Sequence, residues 1–235
     1  MSKALMLTVI IPNLNQSDAL AYVLDQLVKD EKKADVKIIV SDGGSRDKSM
    51  EKAVRAGARL ICGCCGRGHQ LRRGARFADT DWLLFLHADS ELSPDWLGYV
   101  KRHISTRPRK AGYFSMKFRA KGVAPRFVEW LVGLRSFYLR LPYGDQGLLI
   151  SRDLYDEIGG YEAMPLFEDV DIIRKLGRKR LTYIGCALTT DASKYERDGF
   201  IRRGWRNIKL ARRYYKGEAP EDLLKEYNML SLIHI

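Results

Sequence analysis

The first apolar run, Leu7–Ile11, is rich in β-branched residues and is stopped by Pro12, which predicts a buried strand followed by a loop. Ser17 can cap a helix in which Leu20, Val23, Leu24, Leu27 and Val28 recur at helical spacing. Val36–Val40 is the next strand run, closed by Ser41-Asp42-Gly43-Gly44-Ser45. Asp47 opens a short helix through Ala53 and Val54 that ends at Gly57. Arg59–Cys62 reads as a third strand, followed by a Gly/Cys-rich loop and a helix from about Gly68 to Ala78. Asp81–Leu86 is a fourth strand that runs into His87-Ala88-Asp89, and Ser93-Pro94 starts the next helix with Pro at its first position.

These four strand–helix units fill the chain to about residue 105. Their strands are apolar throughout, not alternating, which predicts a parallel sheet covered by helices on both faces. Ligands on such sheets sit at the carboxyl ends of the strands. Those ends carry Pro12-Asn13, Asp42-Gly43-Gly44, Gly66-Arg67-Gly68 and His87-Ala88-Asp89. Further on, Gly112–Phe118 and Gly147–Ile150 read as strands, Phe127–Leu139 and Glu168–Leu176 as helices, and Leu181–Ile184 and Ala187–Thr190 as short strands. Helices are expected from Phe200 to about Tyr215 and from Glu221 to Tyr227. No repeat, low-complexity tract or linker divides the chain. The reading is one domain, 1–235, with halves at about 1–105 and 106–195 and basic C-terminal helices at about 196–230.

The chain has 235 residues, 46% hydrophobic and 30% charged. That is a soluble globular profile, large enough to bury a core without disulfides, and it excludes disordered, collagen-like and disulfide-stapled classes. The longest apolar runs, Trp82–Leu86 and Trp130–Leu134, fall far short of the roughly 20 residues a bilayer needs. The N-terminal run lacks an Ala-x-Ala-like cleavage site and reads as a strand, so a cytoplasmic location is expected. Cys62, Cys64 and Cys65 share one loop and Cys186 is distant, which fits reduced thiols and no zinc pattern. Lys and Arg number 41 against 29 Asp and Glu, a net charge of +12 that favours anionic partners. The Walker pattern is absent and no GxGxxG follows the first strand, which removes the main support for a P-loop NTPase or a dinucleotide dehydrogenase.

The blocks Thr8-Val-Ile-Ile-Pro-Asn-Leu-Asn15, Val40-Ser-Asp-Gly-Gly-Ser45, Gly66-Arg-Gly-His-Gln70 and Leu83-Leu-Phe-Leu-His-Ala-Asp89 together resemble family 2 glycosyltransferases of the GT-A fold. Pro142-Tyr-Gly-Asp-Gln-Gly147 and Pro165-Leu-Phe-Glu-Asp-Val170 resemble a small bacterial subgroup, transferase 2, associated with radical-SAM and selenoprotein-type domains. The six blocks stand in the right order over most of residues 7–227. The resemblance implies a mostly parallel Rossmann-like sheet flanked by helices on both faces, with helices at the C-terminus. It also implies metal-assisted, inverting transfer of a sugar from a nucleotide-diphosphate sugar, a UDP-sugar favoured, to an acceptor hydroxyl.

By that resemblance Asp42 binds the nucleotide, with Pro12, Asn13, Asn15, Gly43 and Gly44 around it; glycines allow close backbone approach. His87-Ala88-Asp89 takes the place of the family's DxD motif. Asp89 is then the ligand for Mn²⁺ or Mg²⁺, with His87 a second ligand or a donor near phosphate; hard oxygen ligands suit such cations. Arg67 and Gly68 open a helix N-terminus toward anionic oxygens, and Gln70 faces the sugar or solvent. Asp169 matches the family's general base, and Asp145 is the competing base or an acceptor-orienting residue. Lys194 would neutralise the diphosphate. The tail from Lys194 to Lys216 holds nine cations against two acids, with aromatic residues interleaved. It reads as an amphipathic helix packed on the domain, or as peripheral contact with an anionic membrane face. The alternatives are a sugar nucleotidyltransferase, which the Pro12-Asn-Leu-Asn15 loop argues against, and a non-catalytic basic nucleotide- or nucleic-acid-binding protein. No nucleic acid is expected, because carboxylates gather at the strand ends. The pattern specifies neither the acceptor nor the oligomeric state.

Overall fold

A computed structural model of the chain describes residues 6–31 and 36–232, with the side chains of 30, 31, 194 and 228–232 left aside. In chain order the elements are β1 (Leu7–Asn13), α1 (Ser17–Glu31), β2 (Val36–Asp42), α2 (Ser49–Arg55), β3 (Arg59–Cys62) and α3 (Arg67–Phe77). Then come β4 (Trp82–Phe85), β5 (Glu91–Leu92), α4 (Trp96–Thr106), β6 (Ala111–Phe118), α5 (Val123–Tyr138) and β7 (Leu148–Ser151). The chain continues with α6 (Arg152–Glu157), α7 (Glu168–Leu176), β8 (Leu181–Thr190), α8 (Ser193–Asp198), α9 (Phe200–Tyr215) and α10 (Pro220–Leu232).

The strands form one sheet in the order β3-β2-β1-β4-β7-β6-β8-β5. β3, β2, β1 and β4 are parallel, as the apolar runs predict, and so are β6 and β8. β7 enters antiparallel between β4 and β6, and β5 is antiparallel at the edge. The register levels the strand ends: Asn13 lies opposite Asp42, and Asp42 opposite Cys62.

Strand alternation fills two cores. Leu7, Val9, Ile11, Ile38 and Val40 pack with Leu20, Val23, Leu24 and Leu27 of α1 on one face. Ile10, Ile39, Leu83 and Phe85 pack with Leu71 and Ala75 of α3 and with Ile172 and Ile173 of α7 on the other. A third cluster joins Met116 and Phe118 of β6 to Val128 and Val132 of α5, Ala192, and Phe200 of α9. A fourth joins Leu166 to Leu210 and Tyr214 of α9 and Leu223 of α10.

Three elements differ from the sequence reading. Leu181–Ile184 and Ala187–Thr190 are one strand, β8, whose pairing with β6 shifts register near Gly185, a residue with φ +112°. α6 is an unforeseen helix capped by Ser151, whose Oγ accepts a hydrogen bond from Leu154 N. The polar segment Ser193–Asp198 is helical too. Among the described residues no helix is long and apolar enough to cross a membrane.

Candidate active site

The ends of β1 and β2 build a closed hydrogen-bonded cradle. Asp42 has no exposed surface. Its Oδ1 accepts from Gly44 N at 2.8 Å and Ser45 N at 2.7 Å, and its Oδ2 from Asn13 Nδ2 at 2.8 Å and Ser45 Oγ at 2.6 Å. A carboxylate has about four lone-pair sites, so all are used. Burial works against its charge, yet the bonds from Ser45, Asn13 and Gly44 prevail and hold the carboxyl below its ordinary range. Asp42 therefore turns into the protein and sets the loop's shape. Asn15 carries the outer side of the cradle: its N–H donates to Ser45 Oγ at 2.8 Å and its Oδ1 accepts from Arg46 N at 2.8 Å, with φ at +52°. Pro12 is buried within β1.

Gln70 braces the same strand ends. It is buried, and its Nε2 donates to Asn13 O at 2.6 Å and Ser41 O at 3.0 Å. It ties α3 to the ends of β1 and β2 and is turned away from solvent. The same amide group lies about 3.1 Å from where a Cβ on Gly43 would stand, so Gly43 needs its missing side chain. Arg73 braces the loop from below, its Nη2 donating to Asp42 O at 2.7 Å.

The start of α3 is bound to the start of α7. Arg67 Nε donates to Glu168 Oε1 in a short ion pair, and the Glu168 side chain is 1% exposed. Burial disfavours the guanidinium charge, but the Glu168 and Asp169 carboxylates more than offset that and keep Arg67 protonated. Part of its donor fork is thus spent inside the protein. At Gly68 a Cβ would stand 2.4 Å from Glu162 O and 2.6 Å from Met164 O, so only glycine lets helix and loop meet there. Phe167, just before the acidic pair, has φ +65°, an unusual value for a bulky residue. Its ring stacks on Tyr214 of α9 at 5.0 Å.

Asp169 is half-buried at the first turn of α7. Its Oδ2 accepts from Gly144 N at 2.8 Å and its Oδ1 from Val170 N at 2.8 Å. Gly144 lies in a 3-10 turn, Gly144–Gln146, before β7. A Cβ on Gly144 would stand 2.9 Å from His87 Nε2 and 3.1 Å from Asp169 Oδ2, so the imidazole and the carboxylate converge on one point. Behind them is a cavity of about 20 Å³, lined by His87, Tyr143, Gly144, Tyr161, Glu168 and Asp169 among others, room for about one water. Burial pushes both tyrosine phenols well above their ordinary range.

Asp145 lies in the same turn, with Oδ1 buried and no hydrogen-bond partner for it among the described residues. Burial lifts its carboxyl above the ordinary range; Arg135 and Arg67 oppose this and Asp169 adds to it. Arg135 of α5 lies 4.0 Å over the Tyr143 ring and also donates to Gln146 Oε1.

Asp89 is partly exposed past the end of β4, and one of its oxygens accepts from Thr190 Oγ1 at 3.3 Å. Among the described residues no group of three or more His, Cys, Asp and Glu side chains could hold a metal ion. A single hard carboxylate fits a divalent cation that draws its other oxygens from a bound diphosphate. Cys62, Cys64 and Cys65 are exposed thiols beside the cradle. Lys194 opens α8, and its side chain lies outside the described residues. The pattern alone missed Glu168 as Arg67's partner, Ser45 and Asn13 as Asp42's, and Gly144 as the donor to Asp169. Only Ser45, three residues past Asp42, carries a local signal, that of an Asx turn.

Comparison with known proteins agrees with this geometry. The family model for glycosyl transferase family 2 matches residues 8–164, well over half of the chain. No curated protein matches in sequence. Among solved structures, glucosyl-3-phosphoglycerate synthase from Mycobacterium tuberculosis is similar in several complexes. With Mn²⁺, UDP and glucosyl-3-phosphoglycerate it superposes at TM-score 0.59 and 19% identity, covering 86% of this chain and 78% of that one. With Mn²⁺, UDP-glucose and glycerol 3-phosphate the values are 0.58 and 20%, again over 86% and 78%. With phosphoglyceric acid they are 0.57 and 20%, over 79% and 70%. The match of the family model and the shared sheet architecture together mean that the chain belongs to glycosyl transferase family 2, with the GT-A fold.

Proposed function

We propose that this glycosyltransferase moves a sugar from a nucleotide-diphosphate donor, a UDP-sugar favoured, to an acceptor hydroxyl with inversion. One observation carries the reading: the Asp169 carboxylate is fixed by the Gly144 N–H and faces His87 at the same strand ends that hold the Asp42 cradle and Asp89. The Mn²⁺, UDP and UDP-glucose bound by the mycobacterial synthase support the donor class.

In this reading the backbone of Gly43 and Gly44, with Asn15 beside them, forms the wall against which the nucleotide lies, and Asp42 keeps that wall in shape. Asp89 would hold Mn²⁺ or Mg²⁺, a cation that would supply charge neutralisation for the diphosphate leaving group. His87 donates a hydrogen bond toward the phosphate side. Asp169 takes the acceptor's proton as the acceptor oxygen attacks the anomeric carbon. The bond from that carbon to the diphosphate oxygen breaks, and its electron pair leaves with the nucleotide. Asp145, raised toward its protonated form, orients the acceptor.

The test is thermal protection by a panel of nucleotide-diphosphate sugars with and without Mn²⁺. A true donor at 100 times its Kd should stabilise the fold by about 2.7 kcal/mol. If none protects in either condition, the donor reading fails.

A further inference from the structure

We propose that the outward face formed by α5 and α9 docks on an anionic lipid bilayer. This stands apart from the transferase reading and rests on other residues. α5 is apolar on both sides. Pro125, Val128 and Ser136 are buried, yet Val123, Phe127, Trp130, Leu131, Phe137 and Tyr138 are exposed at helical spacing. Val123 is 85% and Trp130 57% exposed. Phe127 stacks on Trp130 at 5.9 Å, so the ridge is ordered by its own rings.

α9 packs beside α5. It shares a hydrophobic cluster with α5 through Phe200, Val128 and Val132. Ile201, Trp205 and Ile208 are exposed one turn apart, with Trp205 68% exposed. Arg202, Lys209 and Arg212 flank them, and Lys216 follows beside Glu218; all four cations are exposed. Phe200–Tyr215 has six cations and no acid. Exposed Trp and aliphatic side chains rimmed by Lys and Arg match an interface-lying helix on anionic lipid.

Charge separates this occupant from others. A second copy would set one all-cationic helix against another, because a two-fold interface pairs a patch with itself. A nucleic acid would leave the aliphatic ridge of Val123 and Leu131 without a use. The face also reaches the site: Arg135 of α5 covers Tyr143, and Tyr214 of α9 stacks on Phe167. Docking would hold the Asp169 end of the site beside the lipid headgroups.

The experiment is flotation of the full chain with phosphatidylcholine vesicles, with or without phosphatidylglycerol, while tryptophan emission is followed. Trp82 and Trp96 are buried, so Trp130 and Trp205 report. Binding is expected only with phosphatidylglycerol, with a blue shift and with weakening as salt rises. Lys209→Gln and Arg212→Gln should each weaken binding about 5-fold. Trp130→Ser with Phe137→Ser should weaken it about tenfold or more. These positions are on the surface, so melting temperature and donor protection should stay unchanged, which keeps a failure here distinct from a failure of the transferase reading. Equal binding to neutral vesicles, no loss in the variants, a self-association that buries Trp130 without vesicle binding, or preference for nucleic acid would each overturn the proposal.

Discussion

Asp169→Asn is the sharpest perturbation of the proposed chemistry. The carboxylate uses one oxygen for Gly144 N and the other for Val170 N, both at 2.8 Å. An amide keeps one acceptor and sets its NH₂ against the remaining backbone donor. That conflict should cost about 1 kcal/mol of stability, and for a chain of this size it lowers Tm by roughly 2–4 °C. Proton removal is lost altogether, and general-base contributions run ~10²–10⁴-fold in rate. At about 1.4 kcal/mol per tenfold this is roughly 3–5 kcal/mol in the barrier, several times the stability effect. The assay is single-turnover donor consumption at saturating donor, with donor affinity measured separately by calorimetry. The expected result is a slow chemical step with nearly unchanged affinity. If affinity falls as far as rate, or if Asp145→Asn abolishes the step and Asp169→Asn spares it, the assignment of the base is wrong.

Other variants probe the remaining parts. Asp89→Ala should abolish the Mn²⁺ dependence of donor protection, whereas Asp42→Asn should leave that dependence in place; equal metal responses would separate neither role. Asp42 has its carboxyl depressed below 3.8, so its stabilisation is present above that pH and is lost as pH falls through the folded value. Asp42→Asn should therefore lower the urea midpoint at neutral pH by the equivalent of about 2 kcal/mol and flatten the acid limb; an unchanged acid limb would contradict the cradle. Gly68→Ala forces a Cβ against the carbonyls of Glu162 and Met164. It should cost about 1–3 kcal/mol and displace the loop that leads to Asp169, seen as lost turnover alongside a lower Tm.

The first half of the fold was legible because its strands are apolar without interruption and because Pro12, Gly57 and the Gly-rich loops punctuate it. The orientation of β7 was not, since three apolar residues and a serine carry no direction and the strand's sense is fixed by its pairing with β4. The site was legible as a set of positions and not as a set of roles. Asp-Gly-Gly locates a turn, but which way the carboxylate of Asp42 faces depends on Asn13, 29 residues away. Arg67 and Glu168 are 101 residues apart, so no local pattern pairs them. Gln70 precedes Leu71 on the buried side of α3, a position that periodicity does mark as internal, yet its polar side chain reads equally well as ligand-facing.

The stack of Phe167 on Tyr214 has a consequence for how the protein is made. A left-handed conformation at a bulky residue costs of order 1–3 kcal/mol and persists only where its surroundings impose it. One residue packed against it, Tyr214, is 47 positions further along the chain. Synthesis runs from the N-terminus, so the β1–β4 half with its Asp42 loop emerges before the loop that carries Asp169, and that loop before α9. Asp169 itself is held by the Gly144 and Val170 N–H groups, and Tyr214 of α9 braces the residue two before it. A chain shortened before α9 would lose that brace from the loop that leads to Asp169.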